Sequence, residues 1–231
     1  DEATVMLNEG WMIAPATDAG ASGAEISGTE IDLTGWTSAT VPTTVLAAQV
    51  AAGEIEEPYF GRNLETISTE PYTGAWWYRT EFPLVADSAT TVRLLLEGIN
   101  YSANVWLNGK QVGSRDELVG SFRQFAIDIT TALVPGSNVL AIEVHPPRPG
   151  DPTIGFVDWN PVPPDRNMGV WRPVKLRITG EVAVDEVFVQ SDLDTATLDG
   201  ATLEISAGVT NFSDRAVRTT ITAHIDSILE I

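Results

Sequence analysis

The chain has 231 residues, and its 32 acidic against 13 basic side chains give a formal net charge of −19. Nucleic acid is excluded as an expected partner, because phosphate contacts need a basic surface. No apolar run approaches the roughly 20 residues of a membrane helix, so we expect no membrane partner. The chain has no cysteine, which excludes disulfides and thiolate metal sites.

The first quarter of the chain alternates between regular and irregular patterns. Residues 3–13 predict an opening strand with Trp11 turned inward, and the Ala-, Gly- and Ser-rich residues 14–24 predict a loop. Residues 57–65, EPYFGRNLE, predict an irregular stretch that is pinned by its aromatic pair. The start of the chain lacks a basic n-region and an apolar h-region, so it predicts no signal peptide.

Residues 41–53 are the best helix candidate in the sequence. Thr43 or Thr44 is suited to cap the first turn through its side-chain oxygen. Gly53 lies where a glycine commonly follows the last helical turn.

The middle of the chain has the pattern of an antiparallel β domain. In residues 74–84, Trp76 and Trp77 face opposite sides, so we expect one in the core and the other against a neighbouring domain. Residues 103–113 predict a hairpin with Asn108-Gly109 at its tip, a pair that tolerates the two positive φ values of a type I′ turn. Further strands are predicted over residues 91–99, 122–130, 138–146 and 170–180.

These strands, with one short helix, predict an all-β fold in which residues 1–180 form a β-sandwich of jelly-roll type. From residue 181 a new unit begins, and three strand patterns at immunoglobulin-like spacing end at residue 231. An immunoglobulin-like sandwich takes about 100 residues, so 181–231 predicts only its first strands. We expect the chain to be the N-terminal piece of a longer protein.

Residues 156–174, the rim segment, carry the strongest functional signal. Its prolines fix φ and remove amide donors, which predicts a stiff loop at one rim of the β domain. Within it, Asp158 stands beside Trp159. An indole face suits the C–H surface of a sugar ring, and a carboxylate suits hydroxyl or ammonium groups.

Structural roles compete with this interpretation. Trp159 can instead pack beneath the prolines, and Asp158 can organise the loop by accepting bonds from nearby backbone amides. We expect Asp165, Arg166 and Asn167 to support the loop, with Arg166 as a salt-bridge partner for Asp158 or Asp165. His145 and His224 lie far apart in strand-like runs, which does not indicate a metal site.

Several segments together resemble the N-terminal region of glycoside hydrolase family 2 enzymes, with its galactose-binding-like jelly roll. The segment in 158–174 is most similar to exo-β-D-glucosaminidases, which act on chitosan oligosaccharides, with β-mannosidases as the alternative. The segments are PTTVLAA (42–48), EPYFGRNL (57–64), WWYRTEF (76–82), ANVWLNGKQVG (103–113), FAIDIT (125–130), NVLAIEV (138–144) and DWNPVPPDRNMGVWRPV (158–174).

The resemblance implies a carbohydrate partner and a secreted or periplasmic location. It also implies that the catalytic TIM barrel and both catalytic carboxylates lie outside this chain, whose partners therefore include the missing C-terminal catalytic domains of the same polypeptide. Asp158 and Trp159 match rim positions that help to line the pocket for the terminal sugar. Asn160, where mannosidases commonly have glycine, is expected as a further substrate contact. No catalytic residue, metal or cofactor is expected here. An autonomous carbohydrate-binding module remains the competing function.

Overall fold

The computed structural model describes residues 2–84, 90–155, 157 and 159–224. These residues belong to two compact units, Glu2–Ile178 and a second unit that begins at Thr179. The strands are β1 (Ala3–Met6), β2 (Trp11–Pro15), β3 (Thr37–Ala39), β4 (Thr43–Thr44), β5 (Trp76–Leu84), β6 (Thr91–Leu96), β7 (Ser102–Leu107), β8 (Lys110–Gly113), β9 (Phe125–Asp128), β10 (Gly136–His145), β11 (Gly169–Val170), β12 (Val174–Thr179), β13 (Val182–Leu193) and β14 (Ala201–Asn211). The α-helices are α1 (Ala16–Ala19), α2 (Gly23–Ile26) and α3 (Val45–Ala51), and single 3₁₀ turns span Asn63–Thr66, Glu70–Tyr72 and Thr130–Ala132.

The first unit is an antiparallel β-sandwich, which confirms the predicted all-β jelly-roll class. One sheet has the strand order β1-β12-β6-β9, and the other has the order β3-β2-β5-β10-β7-β8. A single apolar core lies between them, with Leu94 and Leu176 from the first sheet and Ile13, Tyr78 and Ile142 from the second. Burial of these side chains between two facing sheets is the main stabilising term of such a fold.

Two local predictions are confirmed in detail. Helix α3 begins after Thr44, whose Oγ1 accepts a hydrogen bond from the Ala47 amide at 3.3 Å, and Gly53 follows it with φ +77°. The hairpin of β7 and β8 turns at Asn108 and Gly109, with φ of +50° and +83°. Both results follow from local chemistry, since the Thr44 cap and the Asn108-Gly109 turn each involve residues that are close together in the sequence.

The tryptophan pair of β5 corrects one prediction. Trp76 lies in the main core, as expected for one member of the pair. Trp77 is also buried, because it lies on the outer face of the sheet in a second apolar cluster with Ile26 and Ala141. The first unit covers this side chain by itself, so Trp77 does not face a neighbouring domain.

The N-terminal region also differs from its prediction. The single strand expected over 3–13 is two strands in different sheets, separated by Gly10 at φ +74°, although Trp11 is fully buried as predicted. The expected loop at 14–24 contains α1 and the first two residues of α2, and a capping box of Ser22 and Glu25 stabilises the start of α2. The sequence pattern of α1 and α2 is too short to predict helices, and the packing of these residues over Trp77 determines their conformation.

Another correction concerns the aromatic pair of the segment at 57–65. Tyr59 and Phe60 are 69% and 76% exposed, so they do not pin this segment within the described chain. The segment is held instead by polar contacts, such as the bond from Asn63 Nδ2 to the Glu57 carbonyl at 3.0 Å.

The second unit contains the antiparallel ribbon of β13 and β14, with an irregularity between Asp185 and Phe188. These two strands correspond to the first two of the three strands that the sequence predicts for this unit. The third predicted strand is not observed over 215–224, and its last residues lie outside the described part of the chain. In the described ranges, no helix is long and apolar enough to cross a membrane.

We predict that Gly169→Ala destabilises the first unit. Gly169 has φ +152°, and an added Cβ would lie 2.6 Å from the Thr43 carbonyl oxygen and 2.6 Å from the Tyr78 hydroxyl. The free energy of unfolding in urea, followed by tryptophan fluorescence, should fall by about 2 kcal/mol. Gly74→Ala is the matched control, because a Cβ there meets nothing within 4 Å. Equal stability of the two variants would contradict the close packing at Gly169.

Candidate functional site

The rim segment is tied to the amino end of helix α3. Its strand β11 pairs with β4, so that Gly169 lies opposite Thr44 and Val170 opposite Thr43. Strand β4 leads directly into α3. A segment distant in sequence therefore packs where the helix begins, and this pairing determines where the rest of the rim segment lies.

The first amides of helix α3 are satisfied largely by the rim segment. The Val45 amide donates to the Met168 carbonyl at 2.8 Å. The next amide, of Leu46, donates to Asp165 Oδ2 at 2.9 Å. The first amides of a helix have no partner within the helix, and a carboxylate there is also favoured by the helix dipole. The rim segment thus acts as a helix cap supplied from outside.

Asp165 is the central acid of this contact, and it is only 1% exposed. Its Oδ1 accepts from the Asn167 amide at 2.9 Å, so both carboxylate oxygens have backbone donors. Burial raises the pKa of Asp165 above its ordinary range, and the bonds from the Leu46 and Asn167 amides partly offset this rise. Asp165 is therefore a structural acid whose hydrogen bonds point into the fold.

A second buried side chain, Asn100, holds the same turn from the opposite direction. Its Nδ2 donates to the carbonyls of Arg166 and Asn167 at 3.0 and 2.7 Å. Its Oδ1 accepts from Ser121 Oγ at 2.7 Å, and its backbone exchanges two hydrogen bonds with Gly169. Every polar group of this buried residue is used, mostly by the rim segment.

The turn that Asn100 holds has an unusual backbone. Arg166 and Asn167 are consecutive residues with φ of +52° and +57°. Left-handed conformations are costly for residues other than glycine, and they persist where surrounding contacts impose them. The Arg166 guanidinium donates to the Pro147 carbonyl at 3.3 Å, and no ion pair with Asp165 forms. The predicted Arg166–Asp165 salt bridge is therefore wrong, because Asp165 is already bonded to backbone amides.

The other half of the rim segment faces outward. Trp159 is 78% exposed, and Asn160 is exposed beside it. Asp158 and Phe156 lie outside the described residues. A cavity of about 450 Å³ adjoins this half, lined by Tyr59, Ile154, Gly155, Val157, Asn160, Pro161, Val162, Pro163 and Asn167. Its lining is neutral, with aliphatic and proline surfaces and two amide side chains.

The structure thus divides the predicted site residues into two groups. Asp165 and Asn167 lie within the anchored half, and Asn160 borders the neutral cavity. Our sequence interpretation missed Asn100, which holds the segment, and Tyr78, whose hydroxyl donates to the Thr43 carbonyl at 3.3 Å. Asn100 had a weak signal, as a polar residue that directly follows the buried run of 91–99. Its partners in the rim segment lie more than 60 positions away, so the sequence alone did not show them.

The family model described as glycosyl hydrolase 2 galactose-binding domain-like matches residues 17–152. The chain belongs to glycoside hydrolase family 2. Among its relatives is an exo-β-D-glucosaminidase of Streptomyces avermitilis, 32% identical over 203 residues, which are 87% of this chain and 22% of that protein. A mannosylglycoprotein endo-β-mannosidase of Lilium longiflorum is 33% identical, over 80% of this chain and 22% of that protein.

Among solved structures, an exo-chitosanase of Amycolatopsis orientalis is similar with a TM-score of 0.85 and 30% identity. The similarity covers 92% of this chain and 25% of the exo-chitosanase. The family 2 chain therefore spans about a quarter or less of the length of these relatives.

We predict that Asn100→Ala lowers the free energy of unfolding of the family 2 chain by about 3 kcal/mol. The substitution leaves two partly buried carbonyls and the buried Ser121 hydroxyl without their partner, and each loss at a buried group costs about 1–3 kcal/mol before relaxation. Urea denaturation measures the change. Asn63→Ala is the control, since it removes one exposed bond. If both variants lost the same stability, Asn100 would not be a buried anchor.

Proposed function

We propose that this chain is the N-terminal, non-catalytic part of a retaining family 2 exo-glycosidase. Its best-supported substrate is terminal β-linked glucosamine of chitosan oligosaccharides. Support comes from the similarity to exo-β-D-glucosaminidases over 87% of the chain and from the small fraction of their length that it spans. A retaining mechanism needs two carboxyl groups about 5–5.5 Å apart, and the proposal assigns both to a barrel elsewhere in the polypeptide.

The domain organisation is part of the same proposal. The jelly roll occupies residues 1–180, and 181–231 form the first strands of an immunoglobulin-like sandwich. The ribbon of β13 and β14 supports this assignment, because a two-stranded ribbon is marginally stable alone. Its apolar side chains, including Phe188 and Ile205, are exposed in the described chain and would be covered by further strands.

The observation that carries the proposed role of the rim segment is the exposure of Trp159. All seven tryptophans are described, and the other six are buried or half-buried. Trp159 is 78% exposed, so it is not hydrophobic filler within this chain. An exposed indole face suits the C–H face of a sugar ring, and the next residue, Asn160, lines the neutral cavity.

In this proposal Asp158, Trp159 and Asn160 are substrate contacts, and they form one wall of a pocket whose catalytic wall lies in the barrel. Asp165, Arg166 and Asn167 hold the segment that presents them. This division agrees with the two halves of the rim segment, since the anchored half is fixed by buried hydrogen bonds and the outer half is exposed.

The charge of −19 suits a polycationic substrate such as chitosan, which an acidic surface attracts. A β-mannosidase-type enzyme is the alternative, favoured by the 33% identity to the endo-β-mannosidase of Lilium longiflorum. A secreted or periplasmic location completes the proposal, because chitosan is a polymer that is hydrolysed outside the cell. Turnover of aryl β-glucosaminide against aryl β-mannoside by the full-length enzyme distinguishes the two sugars.

We predict that Trp159→Ala in the full-length enzyme lowers kcat/KM for chitosan oligosaccharides about tenfold, because a stacking surface is lost. Trp159→Phe should retain part of the activity. Phe122→Ala serves as the control, since Phe122 is another exposed aromatic residue but lies outside the rim segment. Unchanged kinetics of Trp159→Ala would assign the indole to interdomain packing.

We also predict that the 231-residue chain alone does not hydrolyse an aryl β-glucosaminide, whereas the full-length protein does. Hydrolysis by the isolated chain would refute the non-catalytic role. Titration calorimetry of the isolated chain with chitosan oligosaccharides provides a second test. Millimolar or undetectable binding agrees with a chain that supplies only one wall of the binding site. Clear micromolar binding indicates an autonomous carbohydrate-binding module.

A further inference from the structure

A larger cavity, of about 860 Å³, shares part of the rim segment with the neutral cavity. Its boundaries are the rim segment at Val162–Arg166, the turn at 146–151 that follows β10, the turn at 115–119 that follows β8, and residues 69–75. Three arginines, Arg115, Arg148 and Arg166, line it, and we name it the arginine cavity. All of its lining belongs to the first unit of the chain.

The three guanidinium groups of this cavity belong to exposed residues and form no direct ion pair within the described residues, although Glu143 interacts electrostatically with Arg115. Arg166 donates to the Pro147 carbonyl, and Arg115 Nη1 lies 3.2 Å from His145 Nδ1. In the described ranges of the chain, no carboxylate oxygen lies within 4.0 Å of any of the three guanidinium groups. Other arginines do pair with acids, in Arg62–Glu65, Arg79–Glu81, Arg177–Glu2 and Arg215–Glu181.

This clustering is informative because the chain has 32 acidic side chains against 13 basic ones. Carboxylates are in excess, so a shortage of acidic partners does not explain three unpaired arginines around one cavity. Unpaired guanidinium groups that converge on a cavity are suited to an anionic ligand, which they bind through paired N–H donors.

His145 keeps Arg115 available without neutralising its charge. A guanidinium group has no acceptor, so the bond to Nδ1 requires that this nitrogen carry the lone pair. The ring proton then lies on Nε2, which is 3.3 Å from Glu143 Oε2. The interaction with His145 is the main cause that lowers the pKa of Glu143. The imidazole orients Arg115.

The rest of the lining favours a ligand with hydroxyl groups and a single negative charge. Tyr101, Ser102, Thr69 and Thr73 provide hydroxyl groups, and several prolines provide apolar faces. Two acids, Asp116 and Asp151, also belong to the lining, so three cationic groups oppose two anionic ones. Asp151 Oδ2 is engaged, since it accepts from the Arg148 amide at 2.7 Å. The remaining positive excess is small, which disfavours multiply charged anions.

We propose that the arginine cavity binds a sugar acid through its carboxylate. A guanidinium fork matches a planar carboxylate with two parallel hydrogen bonds, and the hydroxyl and proline lining suits the sugar ring. The arginine cavity shares Val162 and Pro163 with the neutral cavity, but its arginines lie outside the lining of the neutral cavity. It is suited to an anionic sugar, whereas glucosamine is cationic. The proposal does not depend on the glycosidase activity proposed above.

The test is a titration of the 231-residue chain with D-galacturonate, followed by NMR of the arginine side chains and by calorimetry. D-Galactose, which lacks the carboxylate, and inorganic phosphate are the comparison probes. We expect D-galacturonate to bind at least about tenfold more tightly than either of them. The binding free energy of one charge-assisted hydrogen bond corresponds to about that ratio of affinities. If a galacturonate trimer binds more tightly than the monomer, an acidic polysaccharide is the source of the ligand.

Paired variants assign the binding to this cavity. Arg148→Gln should weaken D-galacturonate binding about tenfold or more. Asp116→Asn should strengthen it, because a like charge is removed from the lining. Arg62→Gln, whose arginine pairs with Glu65 outside the cavity, should leave it unchanged. Urea denaturation verifies that each variant is folded.

Four results would overturn the proposal. These are undetectable binding of D-galacturonate, equal binding of D-galactose, tighter binding of phosphate, and unchanged affinity in the folded Arg148→Gln variant. A weakening by Asp116→Asn would also contradict it, since this result would indicate recognition of a cation.

Discussion

The capping of helix α3 by the rim segment is the contact on which the functional architecture depends. Two successive amides at the start of this helix donate to Met168 and Asp165, which lie almost 120 residues further along the chain. Buried amides without a partner are costly, so neither the helix nor the segment can move without loss of these bonds. Asn100 adds two more bonds to the same turn. A proline-rich loop thereby acquires a fixed position.

This anchoring has a consequence for the outer half of the rim segment. An exposed indole contributes to binding most effectively when its position is fixed before the ligand arrives, because less conformational entropy is then lost. The anchored half supplies that fixation to Trp159 and Asn160, and the same backbone separates two cavities of different chemistry. One cavity is neutral and the other is lined by arginines. A single segment therefore organises both candidate binding surfaces.

The distribution of charged side chains over the surface differs from what the composition alone indicates. The chain is strongly acidic overall, and most of its described arginines with a charged partner are bound to glutamate. The cluster of Arg115, Arg148 and Arg166 departs from this pattern. These residues are distant in sequence, and the turns after β8, β10 and within the rim segment bring them together. The lining of this cavity is therefore less acidic than the whole chain, whose net charge averages over the whole surface.

The sequence by itself determined the features that local chemistry controls. These are the cap of α3 at Thr44, the turn at Asn108-Gly109, the alternating strands and the all-β class, together with the family resemblance. Tertiary structure decided the rest. Trp77 is covered by α2 and its neighbours, and Asp165 bonds to a helix instead of to Arg166. Burial and long-range hydrogen bonds join residues far apart in the chain, and a one-dimensional pattern carries no record of which distant groups will meet.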